Sequence, residues 1–485
     1  MIFNADFSIR QNFLLNKWNA ERARQREAEN WLNFYNDDNE ALIKEKLKEL
    51  FHPQNYDRLY YHVNQSQNIL KRVVKETSMI YKGKPSRTLT VDSPRYEAIK
   101  KEVKIDQALK DVNRLVNVIN DIIIKVGVRE GKMVYDIITP DSCIVLQNED
   151  DPTEAEAIIY GVTLKNDPFS DKLNYHYWNK WGDHYLLDGS FRIIKAIYDS
   201  EGKDVDGKDV AKPPYVDKKA KRYTWPFVFC RRKRPQDAFW NQDTGRDLYN
   251  AAVLTSVKMT LFDYYFKTAS FKQPYIVGDM INVPNNQILD PLTVFRASGE
   301  NATVGLLDMQ INLDQLKNAL IFQINSVINN YGISADQWTL SISEMSGVAL
   351  KIRNRALLEI REEQLPVYRD IENDLFNVTR IVNNAHFKEK IPENAEFSID
   401  FGEITFPEDP KEKLKYQTSL LRAGLISQGE FYQAFRPDVD EEEGKKRFIQ
   451  NVREFEKTKS GNPGLDNYLN RIFGVEEEEN EDEEI

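Results

Sequence analysis

The sequence predicts an α+β fold, mainly α-helical, on three observations. Long stretches carry apolar residues near a 3.6-residue period. Short β-branched and aromatic runs bounded by turn residues cluster between residues 134 and 234. The second half returns to helices, among them one of unusual length. At 485 residues the chain exceeds one simple core and suggests two to four structural units. Hydrophobic residues make up 41%, enough to fold.

The elements follow in order. Residues 1 to 50 are charged and helical, with Trp18, Trp31, Leu32, Phe34 and Tyr35 as a packing stripe. Asn64 to Ile80 reads as a helix broken by Tyr81-Lys82-Gly83-Lys84-Pro85. Residues 106 to 126 read as another, with Leu109, Val112, Val116, Ile119, Ile123 and Val126 near one face. Strands are expected at 134–138, 143–146, 157–162 and 184–187. Gly245 to Phe271 is helical, and Gln273 to Asn312 is rich in strands and loops. Leu313 to Tyr331 is a helix with Gly332 where a C′ glycine belongs. A polar loop holding Ser334, Asp336, Gln337, Trp338, Ser341, Ser343 and Glu344 precedes a helical pattern from Gly347 to Ala385. Its 39 residues would span about 58 Å. Pro366 inside it predicts a kink, since proline lacks an N–H and clashes with the preceding turn. Phe397 to Phe401 alternates like a strand, and short helices close the chain, one opened by the capping box Ser427-x-x-Glu430.

Composition excludes several classes. No run approaches the ~20 apolar residues of a membrane span. The first residues lack a basic region followed by an apolar core, so a secretory signal is not expected. Cys143 and Cys230 are the only cysteines, too few for a disulfide scaffold or a Cys-rich zinc site, and a reducing compartment is expected. The net charge of −11 is concentrated at 476–485, which carries eight acids; the rest is nearly neutral. That tail lacks apolar periodicity and reads as solvated. Ten Lys and Arg lie between Lys208 and Arg234, interleaved with Tyr223, Trp225, Phe227 and Phe229. Such a run neutralises phosphates, or is a strand with a charged end.

Catalytic motifs fail. Gly83-Lys84-Pro85-Ser86 resembles the end of a phosphate-binding loop, but Pro85 removes an N–H and no upstream glycine stands in place. The five histidines form no His-Glu-x-x-His and no zinc spacing with a cysteine; His176 and His184, among tyrosines and tryptophans, read as packed or surface residues. Glu362-Glu363 and Glu408-Asp409 have the chemistry of magnesium ligands, yet 77 acids produce such pairs by chance. No catalytic residue, metal or cofactor is expected.

The order of elements, with four strings, resembles the portal proteins (head–tail connectors) of tailed double-stranded DNA bacteriophages. The strings are Tyr81-x-Gly83-Lys84-Pro85; Ile138-Thr139-Pro140-Asp141-Ser142 followed by strands around Glu154 to Tyr160; Ser346-Gly347-Val348-Ala349-Leu350-Lys351; and Leu420-Leu421-Arg422-Ala423-Gly424-Leu425-Ile426-Ser427. The likeness covers residues 60 to 460. It implies a wing (1–241 and 347–406), stem helices (242–272 and 313–331), a clip (273–312), a tunnel loop (332–346) and a crown (407–460), followed by the acidic tail (461–485).

It further implies a homo-oligomeric ring, usually a dodecamer, at one vertex of the capsid in the virion, assembled in the host cytoplasm. Double-stranded DNA would cross the channel during genome packaging and ejection. Expected partners are the terminase motor, head-completion or tail adaptor proteins, and the major capsid and scaffolding proteins. The tunnel loop would place Asp336, Gln337, Trp338, Ser341, Ser343 and Glu344 at the DNA, and it carries no Lys or Arg. A channel for moving DNA should hold few phosphates. Phe262, Tyr265, Phe266, Leu316, Leu320 and Ile324 are the expected stem-packing residues. The alternatives are a metal-dependent nuclease or similar DNA-processing enzyme, and a scaffold or tail adaptor without a channel. No membrane span and no enzymatic activity are expected.

Overall fold

Isoleucines 122 to 124 show how side-chain shape chooses the local structure. The helix expected over 106–126 ends at Ile119, and Asn120, at φ +67°, turns the chain. Ile122, Ile123, Ile124 and Val126 then enter a strand buried on both faces. β-branched side chains lose rotamer freedom in a helix and pack well on a pleated surface.

The computed structural model describes residues 7–163, 173–204, 207–218, 220–241, 245–269, 273–280, 297–307, 313–334, 354–404 and 410–458. The chain divides into two compact units, Met1–Ser341 with Asn354–Ile404, and Ile342–Arg353 with Thr405–Ile485.

The larger unit begins with α1 (Phe7–Tyr35), α2 (Glu40–Leu50), α3 (Pro53–Leu59) and α4 (Ile69–Thr77). Residues 64–67 stay outside a helix, because Asn68 caps α4 by accepting from Lys71 N at 2.9 Å. Strand β1 (Ser86–Leu89), α5 (Pro94–Glu102) and α6 (Ile105–Ile119) follow. Then come β2 (Asp121–Arg129), β3 (Lys132–Ile138), β4 (Cys143–Gln147), β5 (Ala155–Thr163), β6 (Leu173–Asn179), β7 (His184–Leu187) and β8 (Ile193–Tyr198). Short β9 (Val216–Asp217) and β10 (Arg222–Tyr223) precede β11 (Phe227–Arg231). Helix α7 (Arg246–Ala269), β12 (Gln273–Met280), β13 (Ala297–Leu307), α8 (Leu313–Asn330), α9 (Arg355–His386) and β14 (Phe397–Asp400) complete it.

β4 to β8 form an antiparallel meander in sequence order. A second sheet has the order β11-β2-β3, and β1–β14, β9–β10 and β12–β13 are two-stranded. Strands β6 and β8 sit where sequence alternation was not singled out. Helix α1 straps the meander: Trp18 meets Tyr175 and Phe191 at 4.8 and 5.5 Å, and Leu14 is buried beside them. Its Trp31 and Phe34 enter the main core.

Helix α9 lies against β11 and β2 and continues through Pro366, the position of the expected kink. Burial of Leu365, Tyr368 and Ile371 beside the proline holds the helix although it lacks one N–H donor. Residues 347–353 of the expected helix lie outside the described residues. Gly83, in the string Tyr81-x-Gly83-Lys84-Pro85, is required by contact: a Cβ there would stand 2.8 Å from Phe401 O. Among the described residues, no helix is long and apolar enough to cross a membrane.

The smaller unit holds α10 (Pro410–Arg422), α11 (Gln428–Phe435) and α12 (Glu441–Thr458). Gly424, at φ +71°, ends α10, and the Ser427/Glu430 capping box opens α11 as expected. Asp440 caps α12 by accepting from Glu443 N at 2.8 Å. Phe431 meets Phe448 at 5.6 Å between α11 and α12.

Candidate functional site

The arrangement with functional content is α7–β12–β13–α8. Its base is tied to the body. Tyr249 of α7 stacks on Trp31 at 5.7 Å, and Arg246 makes a two-pronged pair with Glu27 at 2.9 and 3.0 Å. Leu248, Ala252, Val253 and Val257 are buried. Thr260 Oγ1 donates to Ser256 O at 2.9 Å and accepts from Asn64 N at 3.0 Å. Tyr331, just past α8, donates its hydroxyl to Asp247 at 2.7 Å. Burial and this carboxylate raise the Tyr331 pKa, so it stays a neutral donor.

The far halves of the two helices change character. Phe262 is half-buried, whereas Tyr265 and Phe266 are exposed, Phe266 at 57%. On α8, Ile324 and Ile328 are buried, Leu320 is half-buried, and Leu316 and Ile321 are exposed. Phe322 is 74% exposed. The helices pack against each other, and Lys258 bonds Gln323 across them. The expected stem-packing residues therefore divide. Ile324 packs inside the chain, Phe262 and Leu320 are intermediate, and Tyr265, Phe266 and Leu316 face outward. Phe322 escaped the sequence reading because it lies between positions of the α8 stripe; an aromatic off the buried phase was the available signal.

Beyond the helices, β12 pairs antiparallel with β13 from Gln273↔Leu307 to Met280↔Ala297, with an irregularity between Val277 and Asp279. Gly332, at φ +71°, makes the turn after α8. The expected channel residues Asp336, Gln337, Trp338, Ser341, Ser343 and Glu344 lie outside the described residues.

Other sequence candidates have structural surroundings. Arg231 lies 4.4 Å over the Phe239 ring and donates to Thr153 O at 3.1 Å. Arg232 lies 5.9 Å over the Tyr331 ring, and burial lowers both arginine pKa values. Arg231 and Arg232 are thus engaged in packing at the charged end of β11, whereas Lys233 and Arg234 are exposed. His176 Nδ1 and His184 Nε2 lie 2.8 Å apart, and Trp178 stacks on His184 at 3.8 Å. Burial pushes both imidazoles down and keeps them neutral. Cys143 and Cys230 are buried, and burial pushes the Cys143 thiol up to about 12, which leaves it unreactive at neutral pH. Among the described residues, no three His, Cys, Asp or Glu side chains gather as a metal site.

No family model and no curated protein sequence matches the chain. Among solved structures, one similar chain comes from the virion of a native gene transfer agent particle. It is 9% identical, with a TM-score of 0.43, over 79% of this chain and 93% of that one.

Proposed function

We propose that this chain is the subunit of a portal-type ring, a structural conduit for double-stranded DNA at one capsid vertex. One observation supports the reading: two packed helices, anchored at their base and joined through a β-hairpin, leave Tyr265, Phe266, Leu316 and Phe322 exposed. Phe266, Phe322, Tyr265 and Leu316 are more apolar surface than a lone helix pair keeps in water. Neighbouring copies in a closed heterologous ring cover such surface without leaving an open end. In this reading α7 and α8 are the stem, β12–β13 the core of the clip, and the helices after residue 407 the crown. Residues 332–346 border the DNA, with Asp336 and Glu344 repelling phosphates. The clip receives the terminase and later the head-completion proteins. The ring resides in the virion, and its role is mechanical rather than catalytic.

The test is imaging of the assembled full-length protein, alone and with its capsid partners. The expected result is an annulus of about twelve copies with a central hole wide enough for a duplex. A map with no annulus in any mature particle, or with Trp338 on the outer rim, would overturn the proposal. The double substitution Asp336→Lys and Glu344→Lys should leave the ring intact and impair DNA filling; normal filling would remove the loop from the channel.

A further inference from the structure

The basic run Lys208–Arg234 contributes to a hollow of about 760 Å³ between the β6–β7 turn, the start of β5 and the stretch from β10 into β11. That volume is in the range of small-molecule sites, about 300–1,000 Å³. Lys180, Arg222 and Arg231 line it against a single carboxylate among the described residues, Glu154. Arg231 is already held, over the Phe239 ring and on Thr153 O. Lys180 and Arg222 have no ion pair among the described residues, although Arg222 stands opposite Asp217 in the β9–β10 ladder. A second hollow, which shares Arg222 and Trp225, is lined by Asp217, Asp374, Glu393 and Glu396. Charge therefore directs an anion to the first hollow and away from the second.

The same lining is aromatic. Trp181, at the β6–β7 turn, is 45% exposed, and Tyr223 and Trp225 are half-buried. The turn that presents Trp181 is tightly held. Asn179 Oδ1 accepts from Trp181 N at 3.1 Å and from Asp183 N at 2.9 Å, and Lys180 N donates to Glu156 O at 3.0 Å. Gly182, at φ +102°, sits so close to β10 that a Cβ there would stand 2.7 Å from Tyr223 Cε2. Trp181 is thus fixed on the turn that packs against β10, the strand that carries Arg222. Lys180 Nζ lies 5.1 Å from the Trp181 ring centre, so a cation and an exposed indole stand side by side.

We propose that this hollow binds a nucleotide, with the base stacked on Trp181 and the phosphate held by Lys180 and Arg222. The ligand class follows from the two properties together. Unpaired cations call for an anion, and an exposed indole beside them calls for a planar ring within one small molecule's length. Base stacking tolerates any base, and the described lining offers no reason to prefer one. The nucleotide comes either free or as part of a single strand. This site is separate from the residues proposed above to border the channel.

The test is isothermal titration of the full-length protein with adenosine monophosphate, adenosine, inorganic phosphate and tetradeoxyadenylate. Adenosine monophosphate should bind about tenfold or more tightly than adenosine or phosphate, and more weakly as salt rises. Tighter binding of the tetranucleotide than of the monophosphate would identify a strand as the source; equal or weaker binding would identify the free nucleotide. Trp181→Ala should weaken binding of adenosine monophosphate by about fivefold or more with the melting temperature unchanged. Arg222→Gln, also at an exposed position, should weaken adenosine monophosphate and leave adenosine as it was. Glu154→Gln should tighten it at low salt. No saturable binding of either nucleotide probe, phosphate binding as tight as that of the monophosphate, or undiminished binding in both Trp181→Ala and Arg222→Gln would each overturn the proposal.

Discussion

Arg87 of β1 and Glu372 of α9 form a buried two-pronged ion pair across 285 residues of chain, at 2.9 and 2.7 Å, with side chains 3% and 1% exposed. Tyr81 donates its hydroxyl to the same carboxylate at 3.1 Å, and Asp106 takes a second face of the guanidinium at 2.5 Å. The pair joins β1, which is hydrogen-bonded to β14, to the middle of the long helix. Removing one partner strands a charge in the interior. Arg87→Met or Glu372→Leu alone should cost about 3–5 kcal/mol in urea unfolding, and the double substitution should recover much of the loss. Additive losses in the double variant would show that the two residues do not act as a pair.

The His176–His184 pair makes stability sensitive to acid. Both imidazoles are held below the ordinary histidine value of 6.5 by burial, His176 down to about 4. The unfolded chain therefore binds more protons than the folded one across this window. Stability falls as the pH drops below 6.5 and continues to fall toward about 4. Asp121, raised to about 6 by burial, acts oppositely between 3.8 and 6, so the informative quantity is the difference between wild type and variant. His176→Gln should flatten the pH dependence of the urea midpoint between pH 6.5 and 4; an unchanged slope would exclude the pair as its source.

Gly332 is required twice over. Its φ is +71°, and a Cβ there would stand 3.1 Å from the Ala356 Cβ of α9. Gly332→Val should destabilise by about 1–3 kcal/mol, read as a lower melting temperature. Gly131, at φ +73° with open space around it, is the control for the backbone contribution alone.

The exposed aromatics of α7 and α8 separate folding from assembly. Phe266→Glu with Phe322→Glu should change the stability of the isolated subunit by no more than about 0.5 kcal/mol per site, since both side chains are largely exposed. The same variant should fail to form the ring. Wild-type assembly by this double variant would place the subunit contact elsewhere.

In the smaller unit, Ser427 accepts from Glu430 N at 3.0 Å while Glu430 accepts from Ser427 N at 2.7 Å. Ser427→Ala should cost about 1 kcal/mol locally, visible as faster hydrogen exchange of the Glu430 amide. Unchanged exchange would mean that the cap contributes nothing to α11.

Local chemistry was legible along the chain. The Ser427 capping box, the Gly332 turn, α8 and the run from Phe397 into β14 depend on neighbours within a few residues, and their signals are written in order. Periodicity carried less when two elements abutted without a break. Ile123 and Val126 continue the phase of α6, yet the β2 ladder claims them, because their partners Phe229, Ile138 and Tyr135 become neighbours only in the folded chain. The outward face of α7 and α8 was half legible: the excess of aromatics was visible, but not that Ile324 turns inward while Phe322 turns out.

Residue order thus dictated helix boundaries, turns and the mixed class of the fold, since backbone sterics and capping act over three or four residues. Long-range pairing decided the rest. No spacing announces that Arg87 meets Glu372 or that two histidines share a hydrogen bond. Those relationships arise when burial excludes water and forces distant polar groups to find one another.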